Sequence, residues 1–157
     1  MVIAVGVSEL AGIVGSVFTV SAIPNWYAGL TKPALNPPSW VFGPVWTALY
    51  ALIGISLWLV WKQHTNILEN VGMLRIWRLA ISLFFIQLFL NAIWSIIFFG
   101  LHNPGWALVD IVALLFAIVW TMVVFSEISK PAAYLLVPYL FWVSFASYLN
   151  YSIWMLN

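Results

Sequence analysis

The chain has 157 residues, 65% of them hydrophobic and 6% charged, with 11 tryptophans, no cysteine and a formal net charge of +1. A soluble domain carries about 25% charged residues, so this sequence cannot cover a water-facing surface and reads as an integral membrane protein. Its near-zero charge excludes the electrostatic footprint of a nucleic-acid binder, and the lack of cysteine excludes disulfides, thiolate catalysis and cysteine-ligated metals.

A helix needs about 20 mostly apolar residues to cross a bilayer, and the first such run is Ile3–Ile23. No Lys or Arg precedes it, so it reads as a retained membrane helix rather than a signal cleaved near Ala22, which would want a basic start. Ser8, Gly12 and Ser16 recur at steps of four, with Ala11 and Gly15 alongside. Such a stripe lets a helix approach closely, either inside a bundle or across a dimer. Residues 24–39 follow, holding Pro24, Pro33, Pro37 and Pro38. Proline fixes φ and restricts the preceding residue, so this is a shaped loop and not a tether.

The second run, Trp40–Trp61, carries Trp46, Tyr50 and Gly54 on one face. Residues 62–75 are polar, and the third run is Ile76–Phe99. There Gln87, Asn91, Trp94, Ser95 and Phe98 share a face. Two tight turns, residues 100–104 and 126–131, bound the fourth run, Gly105–Phe125. The fifth, Ala132–Met155, has Tyr139, Trp142, Ala146 and Asn150 on one face. Pro104 and Pro131 sit where a first helical turn accepts proline. Membrane β-strands alternate over about ten residues, whereas these runs are long and continuous. The expected fold is therefore all-α, a single five-transmembrane-helix bundle with spans at about 3–23, 40–61, 76–99, 105–125 and 132–155.

Lys62, Arg75, Arg78 and Lys130 fall on the N-terminal side of this topology and Lys32 alone on the other. In a prokaryotic cell membrane the positive-inside rule puts the N-terminus and loops 62–75 and 126–131 in the cytoplasm. Glu9 and Asp110 are the two ionisable groups within the spans. Each is a functional candidate by depth, with a reach toward headgroups or a bond to a neighbouring helix as the plainer explanation. Trp26, Trp40, Trp61, Trp77, Trp106 and Trp154 lie near span ends, as interfacial belts do. Trp46, Trp94 and Trp142 lie deeper. If the three aromatic and polar stripes face one another, they line a mostly apolar pocket with a few hydrogen-bonding groups; ordinary interhelical packing is the alternative. His64 and His102 are single loop histidines, so no metal site is expected.

The segments WYAGL at 26–30, Lys32-Pro33, Pro37-Pro38, Trp40, Trp46 and Leu49-Tyr50 form a pattern, as do Gln87-Leu88, Asn91 with Trp94, and Phe98-Phe99-Gly100. It continues through Gly105-Trp106-Ala107 with Asp110, Pro131-Ala132-Ala133, Pro138-Tyr139, Trp142, Phe145-Ala146 and Leu149-Asn150. In order and spacing this resembles the translocator protein family, also called tryptophan-rich sensory proteins or peripheral-type benzodiazepine receptors. The resemblance implies a five-helix bundle, often a homodimer, with a cavity under the first loop. It implies binding of tetrapyrroles such as protoporphyrin IX or haem, or of other hydrophobic small molecules, in sensing, sequestration or transport, with no obligatory cofactor. The cavity residues it implies are Tyr27, Pro37, Trp46, Tyr50, Asn91, Trp94, Trp142 and Ala146. An alternative it also implies is light-dependent breakdown of protoporphyrin IX involving Trp46 and Trp142. The family's sterol motif runs Leu/Val, Tyr, Lys/Arg; here Leu149 and Tyr151 are followed by no basic residue up to Asn157, so strong sterol recognition is not expected.

Overall fold

The computed structural model describes residues 1–157. Five helical spans, long and apolar enough to cross a membrane, run through Val2–Tyr27, Ser39–Ile67, Val71–Gly100, Pro104–Ile128 and Lys130–Leu156. The protein is an all-α, multi-pass integral membrane protein. Its helices are α1 (Val2–Ala22), α2 (Phe42–Trp61), the short α3 (His64–Ile67), α4 (Val71–Ser95), α5 (Pro104–Ile128), α6 (Lys130–Leu135) and α7 (Val137–Leu156). The bundle closes as a ring: α1 packs on α2 and α4, α4 on α5, α5 on α7, and the α6–α7 span on α2.

The span ends differ from the sequence expectation, each for a local reason. Pro24 does not start the loop. A π-helical turn at Ile23–Tyr27 continues α1, and helix persists to Gly29, leaving Leu30–Pro38 as the loop. The wider π turn accommodates the donor that proline lacks. The third span begins at Val71, because the Asn70 side chain accepts from the Met73 N–H at 3.1 Å and caps it. Asn103 caps α5 in the same way, accepting from Trp106 N–H at 3.1 Å, with Pro104 in the first turn.

The last span is broken at Leu136, two residues before Pro138. There the Leu136 N–H turns to the Ala133 carbonyl. The buried Ser56 hydroxyl of α2 donates to the Ala132 carbonyl at 2.7 Å. Lipid offers no water to satisfy such a group, so a side chain from the next helix does it.

Small residues set the tight approach of α1. Ser8 is fully buried, Gly12 faces the Tyr50 ring and Gly15 faces Ser95. On α2, a Cβ at Gly54 would fall on the Val5 backbone. Ser8, Gly12 and Gly15 of the small-residue stripe thus pack inside the bundle, the two glycines against α2 and α4. Every side-chain hydrogen bond made within α1 closes on its own backbone: Ser8 to Ala4, Ser16 to Ile13, Thr19 to Gly15, Ser21 to Val17 and Phe18. Contact alone holds this helix in the ring. The core below the cavity is largely apolar, with Ile53, Val60, Phe84, Ile118 and Phe125 fully buried.

Candidate functional site

A cavity of about 450 Å³ opens between α1, the start of α2, the end of the third span and α7. Five of the eight residues singled out from the sequence line it: Trp46, Tyr50, Trp94, Trp142 and Ala146. The pitch of each helix places them. Trp46 and Tyr50 are one turn apart on α2 and their rings stack, with centroids 5.4 Å apart. Trp142 meets Phe42 edge-on at 6.3 Å, and Trp46 meets Tyr139 edge-on at 6.4 Å. Edge and offset contacts of this kind suit the quadrupoles of the rings and hold both indoles as fixed walls.

The other three stand behind the wall. Asn91, 3% exposed, accepts from the Tyr50 hydroxyl and donates to the Tyr139 hydroxyl at 2.9 Å. Its oxygen and its nitrogen are engaged by Tyr50 and Tyr139, so it is a brace for α2 and α7. Tyr27 is 4% exposed and donates to Asn36 at 2.7 Å, while Asn36 donates to the Pro37 carbonyl at 3.1 Å. Tyr27 and Pro37 therefore shape the loop without lining the cavity. The Tyr27 ring packs against Phe42, Phe98 and Phe99.

The loop is held at two further points. Lys32 donates to the Ala28 and Leu30 carbonyls at 3.1 and 3.0 Å and lies over the Tyr27 ring. The Thr31 N–H donates to the Asn157 side chain at 2.9 Å, and Asn157 returns a bond to the Thr31 carbonyl at 3.1 Å. At the end of the third span, Trp26 stacks on His102, with centroids 4.5 Å apart. Trp94 also has its polar atom occupied: its indole donates to Asn150 at 3.0 Å, and Asn150 donates to the Pro104 carbonyl at 2.7 Å.

Sequence reasoning missed the contribution of α1. Glu9, Gly12, Ser16 and Thr19 line the cavity, with Ile13 and Val20, 57% and 70% exposed, on the same wall. The signal was present in the spacing 9, 12, 16, 19, which traces one helical face. It was masked by reading the small residues as packing alone. Asp110, by contrast, is buried at the α5 side, with one carboxyl oxygen unpartnered, and does not line the cavity. Gln87 is buried with neither amide atom bonded.

Residues 4–155 match the family model described as the TspO/MBR family. The "Tryptophan-rich protein TspO" of Archaeoglobus fulgidus is 48% identical over 146 residues, covering 93% of this chain and 89% of that protein. The protein of the same name from Chlorobaculum tepidum is 46% identical over 161 residues, covering 100% of this chain and 95% of its own. The human "Translocator protein" is 42% identical over 146 residues, covering 93% of this chain and 83% of that one.

Proposed function

The chain belongs to the TspO/MBR family, and from that premise we propose that its cavity binds a flat hydrophobic ligand of the tetrapyrrole class, such as protoporphyrin IX or haem. The role that follows is porphyrin sensing, sequestration or transport. One observation carries this reading. Trp46, Tyr50 and Trp142 bring three aromatic side chains to a single cavity within the apolar span region. Pockets for such ligands are largely apolar with few placed polar groups, and aromatic walls add contacts to a π system beyond simple burial.

The same reading takes Lys62, Arg75, Arg78 and Lys130 as the cytoplasmic side of a prokaryotic cell membrane. The family resemblance supports assembly as a homodimer, which the mass of the detergent-purified protein checks. The deciding experiment is titration of purified protein with protoporphyrin IX while following tryptophan fluorescence. Saturable quenching at micromolar ligand or below is the expected result. An unchanged emission in the wild type removes the tetrapyrrole reading.

A further inference from the structure

The polar groups of the cavity include one charge. Glu9 is the only charged side chain among the residues lining it, and neither a hydrogen bond nor an ionic partner engages its carboxylate. Lys32, the sole basic residue on the loop side, is occupied by the Ala28 and Leu30 carbonyls and does not reach the cavity. The hydroxyls of Ser16, Thr19 and Thr47 donate to carbonyls of their own helices at 2.7, 3.0 and 3.1 Å. What they leave available is oxygen lone pairs. The Tyr50 hydrogen is directed to Asn91 and the Trp94 N–H to Asn150. The Ser39 and Ser95 hydroxyls and the Trp142 indole also line the cavity and are neutral, so Glu9 meets no charge of opposite sign there. The indole of Trp46 lies one turn nearer the loop.

Resting on the reading of this cavity as a binding site, we infer that Glu9 sets its charge preference, so that it selects hydrophobic ligands bearing a cationic group at the end remote from the loop. A carboxylate in a cavity that also has aromatic walls is the chemistry that recognises an organic cation. Glu9 lies about two helical turns into its span, where an unpaired charge is costly. A counter-charge on the ligand therefore gains more there than in water. For the same reason a carboxylate-bearing ligand is turned so that its acids point to the loop end.

The test uses two ions of one shape and opposite charge, tetraphenylphosphonium and tetraphenylborate. Binding of each to detergent-purified wild type and Glu9→Gln is followed by tryptophan quenching and calorimetry. The wild type is expected to bind the phosphonium more tightly than the borate, and Glu9→Gln to reduce that ratio about tenfold or more. A wild type that binds the borate as tightly as the phosphonium overturns the inference without recourse to the variant. So does a ratio unchanged in Glu9→Gln. The uncharged dimethyl ester of protoporphyrin IX is the control: equal affinity in both proteins shows that the variant keeps an intact cavity. An ester that binds neither protein counts against the tetrapyrrole reading, while the phosphonium-to-borate ratio still judges Glu9.

Discussion

The Tyr50 hydroxyl donates to the Asn91 side-chain oxygen, and the same amide donates to the Tyr139 hydroxyl at 2.9 Å, so one residue of α4 ties α2 to α7. All three side chains are 5% exposed or less. Replacing Asn91 by Leu strands two buried hydroxyls, each costing about 1–3 kcal/mol when unpaired. Thermal unfolding in detergent should fall clearly for Asn91→Leu. It should fall by less for Tyr50→Phe, which removes one bond of the pair. Equal melting temperatures for Asn91→Leu and wild type would contradict the brace.

Gly54 and Gly6 provide a matched pair. A methyl at Gly54 meets the Val5 backbone, which cannot turn aside as a side chain would, whereas nothing lies within 4 Å of a methyl at Gly6. Gly54→Ala should destabilise by about 1–3 kcal/mol, as overpacking does. Gly6→Ala should be neutral or stabilising by up to about 1 kcal/mol through helix propensity. Unfolding midpoints of the two variants in one detergent decide the point.

Trp142→Ala removes one aromatic wall of the cavity. Weakening of protoporphyrin IX binding by about tenfold is expected, since an aromatic pair adds about 0.5–1.5 kcal/mol beyond its burial. Illumination adds a second readout. If the protein only holds the porphyrin, its Soret band should fade at the same rate in wild type, Trp46→Phe and Trp142→Phe. Faster fading confined to the wild type would indicate breakdown that depends on these tryptophans.

Asn157 clasps Thr31 through two hydrogen bonds. Asn157→Ala should leave the melting temperature nearly unchanged but raise amide exchange across residues 30–38. The two exposed bonds tie down only the loop, so their loss opens residues 30–38 locally without lowering global stability. Exchange mass spectrometry and thermal unfolding measure the two effects separately.

The five spans were legible because length and continuous apolarity are properties of the chain alone. Their ends were less so. Asn70 lengthens the third span by capping it, and a π turn carries the first beyond Pro24; both depend on backbone bonds that periodicity does not encode. In the site, Trp46, Tyr50, Trp94, Trp142 and Ala146 were readable as stripes because a stripe facing a cavity and a stripe facing a helix share one spacing. The same equivalence applies to Asn91, which lies on the same face as Trp94 and bonds Tyr50 and Tyr139. The α1 wall was hidden by the same ambiguity, since Gly12 packs on Tyr50 while its neighbours Glu9 and Ser16 border open space.

The self-contained hydrogen bonding of α1 bears on how the ring gives way. Between Val2 and Ala22, displacing this helix outward breaks no polar tie to its neighbours, so no donor or acceptor is stranded in lipid. Its resistance is dispersion alone, of which a gap of about 0.5–1 Å forfeits a quarter to a half. α2 and α7 are different, because separating them from α4 breaks the bonds at Asn91 all at once. The bundle thus has one compliant stave and four latched ones, and thermal motion or an incoming molecule will find the seam beside α1 first.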